Sequence, residues 1–187
     1  MAQAKPLPFP ATLRTGRLQL RPVTLEDARA IQPLAGRREI AAMTRSIPHP
    51  LSLEQIEDWL KQRTAEMQEG TGVTFAIVLE STGDLIGATG LHVDAEHRCA
   101  EMGFWIAVPC WGKGYATEAA RAVVQYGFEA LGLNRIHAHH MTKNPASGRV
   151  LEKAGLRREG LLRQAIRKWD LFEDVVLYAI LRQDWAK

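Results

Sequence analysis

The sequence predicts a single α/β domain built on a mixed sheet. Apolar residues follow a strand-like period near both ends of the chain, and strands alternate with helical periods around the centre. The chain has 187 residues, of which 46% are hydrophobic. That is enough to bury one core, and no repeat or Ser/Gly linker divides it. We therefore expect a flexible leader over residues 1–11 and one domain over 12–187.

The first half of the chain predicts two helices and a hairpin. Thr24 and Ser52 stand where a hydroxyl can accept from the amides of a first helical turn, and Gly70 ends the second helix. Short apolar runs on either side of residues 81–84, a tight-turn composition, predict the hairpin. In chain order the elements are a strand that stops at Pro22, a helix after Thr24, a helix over 52–69, and strands at 75–79 and 85–91.

The second half alternates strands with helices. Helical spacing of apolar residues predicts a helix over 115–131. Asn144 and Pro145 open another helix, since asparagine caps a first turn and proline fits its first position, and Gly155 closes it. A turn composition at 169–173 separates the last two strands. The strands lie at 100–108, 134–141, 161–168 and 174–182. Because hairpins at both ends flank an alternating centre, we expect a mixed sheet.

Composition argues against several classes of protein. No window approaches the roughly 20 apolar residues of a membrane span, and prolines stand where a signal peptide would be apolar, so we expect a cytoplasmic protein without a membrane partner. Two cysteines are too few for a disulfide framework. The net charge of +3 suits an anionic cofactor, but the basic residues match no nucleic-acid motif, so no direct nucleic-acid partner is expected.

Three histidines near residue 140 raise the question of a metal site. Strand alternation puts His137 and His139 on one face and His140 on the other, and no third ligand is evident. We expect no metal.

A glycine turn before the central helix is the most informative segment. A strand that ends near Val108 delivers Gly112 and Gly114 directly to the helix start, and small Ala116 follows. A helix N-terminus leaves amides unpaired and carries about half a positive charge, which favours a pyrophosphate. Glycine lets the oxygens approach the backbone without meeting a Cβ. The turn therefore predicts a phosphate site.

Two other phosphate motifs do not fit the spacing of this turn. A P-loop needs Gly-Lys followed by serine or threonine, whereas here Gly114 follows Lys113. A dinucleotide fingerprint needs glycine or alanine where Thr117 stands. Taken alone, the segment also fits a glycine turn that binds no ligand.

The chain resembles the GNAT superfamily of acetyl-coenzyme A N-acetyltransferases, in particular its RimJ/RimL-like ribosomal-protein branch. The superfamily signature, Arg/Gln-x-x-Gly-x-Gly/Ala, is matched at Gly114 and Ala116, with Trp111 at its first position. The run Trp-Gly-Lys-Gly-Tyr-Ala-Thr-Glu-Ala is typical of the narrower branch. The resemblance extends from about Leu13 to Trp185 and includes the motifs Asn144-Pro-Ala-Ser147, Leu151-Glu-Lys-Ala-Gly155 and Asp174-Val-Val-Leu-Tyr178.

The resemblance implies a GNAT-type fold with acetyl-CoA as cosubstrate. In that family the strand before the turn splays from a parallel neighbour, and the pantetheine arm enters the opening like an extra strand. The main chain of the strand is then expected to bind the pantetheine, and the amides of the turn the pyrophosphate. The cosubstrate contacts implied are Ile106, Val108, Gly112, Lys113, Gly114, Tyr115, Ala116, Thr117, Asn144 and Ser147.

Acetyl transfer needs a neutral amine, a polarised thioester and a protonated sulfur leaving group. By resemblance Glu101 takes the amine's proton, directly or through water, although it also fits a structural carboxylate paired with an arginine. Many relatives have a tyrosine general acid at the position that Leu151 occupies here. Ser147 is therefore expected to hydrogen-bond the departing thiolate, although it also fits a serine that only completes the hydrogen bonding of the first helical turn. A glutamate base of some relatives is Ile166 here.

The sequence says least about the acceptor of the acetyl group. Trp59 and Tyr178 lie on segments that border the acceptor groove in the family, or are core aromatics. A weakly equipped site favours an amine that is partly neutral, so we expect direct attack by the N-terminal α-amine of a protein, in a ternary complex. Alternatives are a small amine such as an antibiotic or polyamine, and a non-catalytic acyl-CoA-binding module. A monomer or a homodimer fits the sequence.

Overall fold

The computed structural model describes residues 12–185. The predicted leader, residues 1–11, lies outside the described residues. Eight strands are present within them: β1 (Leu13–Arg14), β2 (Leu18–Pro22), β3 (Gly72–Leu79), β4 (Leu85–Asp94), β5 (Cys99–Ile106), β6 (Arg135–Met141), β7 (Arg157–Lys168) and β8 (Leu171–Leu181). The same stretch contains six α-helices: α1 (Ala28–Ala35), α2 (Arg38–Met43), α3 (Leu53–Glu69), α4 (Tyr115–Glu129), α5 (Pro145–Lys153) and α6 (Arg182–Trp185).

The strands form one sheet in the order β1-β2-β3-β4-β5-β6-β8-β7. Neighbouring strands within the described chain are antiparallel, except that β5 and β6 run parallel. This pairing extends only from Cys99 opposite Arg135 to Glu101 opposite His137, although both strands continue beyond it. The predicted mixed sheet is confirmed, and its parallel pair separates at the centre of the molecule.

Apolar side chains on the two faces of the sheet form separate clusters. One cluster buries α4 against the sheet through residues such as Val123 and Phe128, and Leu151 of α5 joins it. The opposite face packs α1 and α3 onto the sheet through Ile31 and Leu60. Because strand side chains alternate between faces, each residue along β5 and β6 points towards one helical layer or the other. Helices therefore cover both faces of the sheet.

The predicted capping residues locate two of the helices. The Ser52 hydroxyl accepts from the Gln55 amide at 3.2 Å, and Gly70 ends α3 with a φ of 77°. Asn144 caps α5 by accepting from the Ser147 amide at 3.3 Å. By contrast α2 begins after Arg37, whose side chain makes no capping bond, and this helix was not predicted.

Several strand and helix boundaries differ from the sequence prediction, and two of these differences are the most informative. The strand predicted over 100–108 ends at Ile106, and a 3-10 turn over Val108–Cys110 follows, because Pro109 has no N–H to continue a ladder. The last hairpin is longer than predicted, since β7 begins at Arg157 and the turn is confined to residues 169–170.

No helix between residues 12 and 185 is both long enough and apolar enough to cross a membrane.

Candidate active site

The gap between β5 and β6 exposes main-chain groups of β5. The Ala107 amide donates to the Ile86 carbonyl of the preceding segment at 2.7 Å, so in the regular register odd-numbered residues of β5 bond towards β4. The amide and carbonyl groups of Phe104 and Ile106 therefore face the gap. The Ile106 carbonyl already accepts from the Trp111 indole at 2.6 Å. Its amide and the groups of Phe104 are left to meet an extended ligand.

The glycine turn presents a concave row of amides. Gly112 and Gly114 have φ values of 75° and 82°, which glycine adopts without strain, and α4 starts at once with Tyr115. Among residues 12–185, no hydrogen bond is made by the amides of residues 112–117. A Cβ on Gly112 would meet nothing within 4 Å, and one on Gly114 only the Arg17 guanidinium at 3.4 Å. Unpaired amides and open space together fit a pyrophosphate.

A carboxylate at the start of α4 fastens this turn to the N-terminal hairpin. Glu118 accepts from the Thr15 hydroxyl at 2.6 Å, the Arg17 amide at 2.8 Å and the Arg17 guanidinium at 2.7 Å. Burial alone would raise the pKa of Glu118, but the hydrogen bonds from Thr15 and Arg17 lower it below its ordinary value. Arg17 also donates to the Lys113 carbonyl at 3.0 Å and lies 4.6 Å from the centre of the Tyr115 ring. The negative charge of Glu118 is thus balanced by Arg17 at the place where an anionic ligand is expected.

A cleft of about 730 Å³ continues from the gap beneath α1 and α3. It is lined by side chains from both helices, from the loop after α2, and from β4, β5 and β6. Four of the lining residues matter for the chemistry: Trp59, Glu101, His139 and Ser147. The predicted catalytic pair, Glu101 and Ser147, therefore faces one shared space.

Glu101 lies between a histidine and an arginine. Its Oε1 is 3.2 Å from His139 Nδ1 and 3.8 Å from Arg45 Nη2. Burial lowers the pKa of His139, and the Glu101 carboxylate opposes that shift without reversing it. At neutral pH His139 is therefore neutral, and its Nδ1 lies against the Glu101 carboxylate without the alignment of a hydrogen bond. The structure pairs the carboxylate with an arginine, as one alternative expected, but at a distance longer than a hydrogen bond.

Ser147 is held by the residue that caps its helix. Asn144 Nδ2 donates to the Ser147 hydroxyl oxygen at 3.1 Å, while Asn144 Oδ1 accepts from the Ser147 amide. Because the hydroxyl oxygen accepts from Asn144, its own proton is left for another partner. Leu151 is fully buried in the core, at 0% exposure, and offers no acid to the cleft. This arrangement is compatible with both predicted roles of Ser147, hydrogen bonding within the helical turn and donation to a thiolate.

The two predicted acceptor aromatics occupy different environments. Trp59 lines the cleft, with the Arg63 guanidinium 5.9 Å from its ring centre. Tyr178 is only 5% exposed, and its hydroxyl donates to Glu152 at 3.1 Å. Burial, together with that hydrogen bond, raises the pKa of Tyr178. Tyr178 is thus a core residue beside the site, whereas Trp59 is positioned to contact an acceptor.

Ile166, where some relatives carry a base, packs with Met141 and Val175 at the cleft wall. It is 8% exposed and contributes an apolar surface. Between residues 12 and 185 no group of three His, Cys, Asp or Glu side chains is arranged to hold a metal ion.

Sequence reasoning missed two residues of this site. Strand alternation places His139 on the same face as His137, but the local sequence indicates only a possible metal ligand there. Its proximity to Glu101 depends on the parallel pairing of β5 with β6, which the resemblance implied without a register. Arg45 belongs to the loop after α2, and nothing in the local sequence predicted that this loop lines the cleft.

Comparison with known proteins identifies the relatives of this chain. Residues 17–157 match the acetyltransferase (GNAT) domain family. The uncharacterized N-acetyltransferase YoaA of Bacillus subtilis (strain 168) is 38% identical over 171 residues, covering 91% of this chain and 96% of YoaA. The structure of Mycobacterium smegmatis RimJ in complex with CoA-disulfide is 26% identical, with a TM-score of 0.83, over 91% of this chain and 84% of RimJ. Spermidine N-acetyltransferase from Vibrio cholerae, in complex with CoA and spermine, is 25% identical with a TM-score of 0.81, over 92% of this chain and 100% of that one.

Proposed function

Because the chain belongs to the GNAT acetyltransferase family and is an acetyl-CoA-dependent N-acetyltransferase, we propose that its acceptor is the N-terminal α-amine of a protein or peptide. The amine attacks the thioester directly in a ternary complex. The observation that carries this proposal is the charge balance of the cleft.

Each carboxylate on the described lining of the cleft already faces a cation. Glu66 is 2.5 Å from the Arg63 guanidinium, and Glu101 has Arg45 and His139 beside it. A polyamine carries several ammonium groups, and burying each one needs a carboxylate of its own. The lining offers no such surplus. A substrate with a single reactive amine fits this balance better.

Protonation of the amine supports the same choice. An α-amine with a pKa near 8 is about 10% neutral at pH 7, whereas a lysine near 10.4 is about 0.04% neutral. Only the neutral amine has the lone pair that attacks a carbonyl. A site whose strongest candidate base is a histidine or a carboxylate beside an arginine therefore favours the α-amine.

The chain's own groups divide the work between binding and proton transfer. The amides of residues 112–117 bind the pyrophosphate, and main-chain groups of Phe104 and Ile106 bind the pantetheine. Acetyl-CoA supplies an activated acyl group. Glu101, directly or through its neighbours, removes the amine's proton, and the Ser147 hydroxyl stabilises the departing sulfur.

A small-molecule acceptor is the second candidate. The V. cholerae protein that shares this fold is named for spermidine, and its structure contains spermine. Polyamine acetylation would require the Arg63–Glu66 pair to open and release its carboxylate. The two candidates therefore differ in whether Arg63 must release the Glu66 carboxylate.

Thiol release from acetyl-CoA, measured against a panel of amines, tests the proposal. The panel contains a peptide with a free N-terminus, the same peptide blocked at its N-terminus but carrying one lysine, spermidine, and small aminoglycoside-type amines. We expect turnover on the first peptide, with the acetyl group located on its α-nitrogen by mass spectrometry. Turnover confined to spermidine would support the second candidate. CoA binding without turnover on any amine would indicate a binding module.

Localisation and assembly follow as expectations of the same proposal. We expect the protein to act in the cytoplasm, as a monomer or homodimer, without direct contact to nucleic acid. Light scattering of the purified chain with and without CoA measures the assembly state.

A further inference from the structure

We propose that His139 accepts the proton of the attacking amine and that Glu101 positions the histidine for this role. The inference rests on the proposed amine acetylation and assigns its proton acceptor. It reverses the simplest reading of the sequence, in which the carboxylate itself is the base.

The sheet register places the histidine nearer to the opening than the carboxylate. Glu101 lies opposite His137 in the last residue pair before β5 and β6 separate. His139 is two residues further along β6, beyond that pair, where the neighbouring strand has moved away. Its side chain is 19% exposed and lines the cleft. The ring therefore reaches the space in which amine and thioester must meet.

The contact with Glu101 determines which ring nitrogen can act. His139 Nδ1 is 3.2 Å from Glu101 Oε1, a close contact that lacks the alignment of a hydrogen bond. Because a carboxylate oxygen accepts and does not donate, this contact favours the ring tautomer with its hydrogen on Nδ1. The neutral ring then has its lone pair on Nε2. This is the relation by which a carboxylate fixes the tautomer of a catalytic histidine. Glu101 is thus a positioning residue, whose Oε1 lies against the histidine.

Burial, assisted by three nearby basic residues, keeps the histidine neutral. Burial lowers its pKa; Glu101 on β5 opposes this, while Arg45 in the loop after α2 and His137 and His140 on β6 add to it. On β8 the residue opposite His139 is Leu177, which does not titrate. A neutral imidazole at pH 7 can accept a proton without first losing one.

The groups of this chain account for every proton and electron pair that moves in the step. The amine lone pair forms the N–C bond to the acetyl carbon as the carbonyl π pair moves to oxygen, and the amine proton passes to His139 Nε2. Collapse of the adduct breaks the C–S bond, and the electron pair leaves on sulfur, which takes the Ser147 hydroxyl proton. The proton held by His139 returns through water to Ser147. Amide and thiol are the only products.

Replacing His139 by asparagine tests the proposal. The asparagine amide can still donate to Glu101 from near the Nδ1 position, but it has no acceptor at Nε2. We expect kcat for the peptide to fall at least about hundredfold. In the wild type, kcat/KM should fall with decreasing pH as the substrate amine is protonated, and more steeply along a second limb below the ordinary histidine pKa of 6.5. His139→Asn should lack that second limb. Affinity for CoA, measured by calorimetry, should be unchanged.

His137→Asn is the matched control. His137 lies on the same strand and the same face, and burial lowers its pKa too, but it does not line the cleft. His137→Asn should keep both the wild-type kcat and the histidine-dependent limb of kcat/KM at low pH. His139→Ala with added imidazole gives a second measurement, since partial rescue that varies with the pKa of substituted imidazoles requires a lost proton acceptor.

Three results separate the possible failures. If His139→Asn keeps the limb and a rate within about twofold of the wild type, His139 is structural and the inference is wrong. If Glu101→Gln removes the limb while His139→Asn does not, the carboxylate is the base. If the wild type acetylates no amine at all, the proposed function is wrong and the inference falls with it.

Discussion

The cosubstrate half and the acceptor half of the site are made of different materials. The proposed cosubstrate half is main chain from one contiguous stretch, the end of β5 and the glycine turn, where the amides of residues 112–117 make no hydrogen bond to any residue from 12 to 185. The acceptor half is side chains from β5, β6, α3 and the loop after α2. Main-chain sites depend on local conformation, which glycine patterns reveal. Side-chain sites depend on which distant segments the topology brings together.

The largest expected effect on CoA binding tests the main-chain half. Gly114→Val places a branched side chain at a φ of 82°, beside the amides and 3.4 Å from Arg17. We expect CoA affinity to fall at least about tenfold by calorimetry, from strain and from blocked approach of phosphate oxygens. Gly83→Val is the control, because Gly83 has a φ of 77° in the β3–β4 turn, with open space around it and far along the chain from the site. Equal affinity in both variants would contradict a phosphate site at the turn.

A smaller effect is expected where the two halves meet. Ser147→Ala removes the hydroxyl proton but leaves Asn144 capping the helix through the residue 147 amide. Loss of a hydrogen bond to a developing thiolate should lower kcat about tenfold, with little change in CoA affinity. Ser147→Thr keeps the hydroxyl and should retain most of the rate. An alanine variant at full rate would return Ser147 to helix capping alone.

The acceptor half is sharpened by comparing its two predicted aromatics. Trp59→Ala removes a ring from the cleft wall and should raise the KM for the peptide about fivefold without affecting CoA binding. Tyr178→Phe removes only a buried hydroxyl bonded to Glu152 and should leave that KM unchanged. Steady-state kinetics at varied peptide concentration measures both. The opposite ranking would place the acceptor against Tyr178 and contradict the cleft assignment.

The smallest effect concerns stability. Above its ordinary pKa of 4.5, Glu118 is ionised in both states, and its lowered folded-state pKa means that ionisation stabilises the fold. Glu118→Gln should therefore lower the free energy of unfolding by about 1 kcal/mol at neutral pH. The difference should shrink as pH falls below 4.5 and through the folded pKa, since the wild-type carboxylate then protonates too. Urea titrations across that range measure it.

Features with a local cause were predicted from the sequence. The helix caps at Ser52 and Asn144 were predicted because a side chain bonds amides only a few residues away. The glycine turn is similar, since a strand, two glycines and a helix specify its geometry within about a dozen residues. The mixed sheet also followed from the order of these local elements.

Features that depend on distant partners were not predicted. The contact between Glu101 and His139 needs the register of a parallel pair whose strands are separated by a whole helix. Tyr178 shares a motif with relatives, yet its burial beneath Glu152 depends on the packing of α5 on β8. The helix α2 lacks a capping side chain, so nothing local marked it or placed Arg45 after it. In each case the structure is determined by contacts between parts of the chain that are distant in sequence.

The short parallel pairing has a consequence for the life of the protein in the cell. Two blocks of sheet, β1–β5 and β6–β8, are joined by three residue pairs, and this seam is where the sheet can open most readily. A molecule lodged across the seam binds the folded chain but not the unfolded one, and at a hundredfold excess over its Kd it adds about 2.7 kcal/mol of stability. The survival of the protein against heat and proteases is thereby coupled to the supply of its acyl donor.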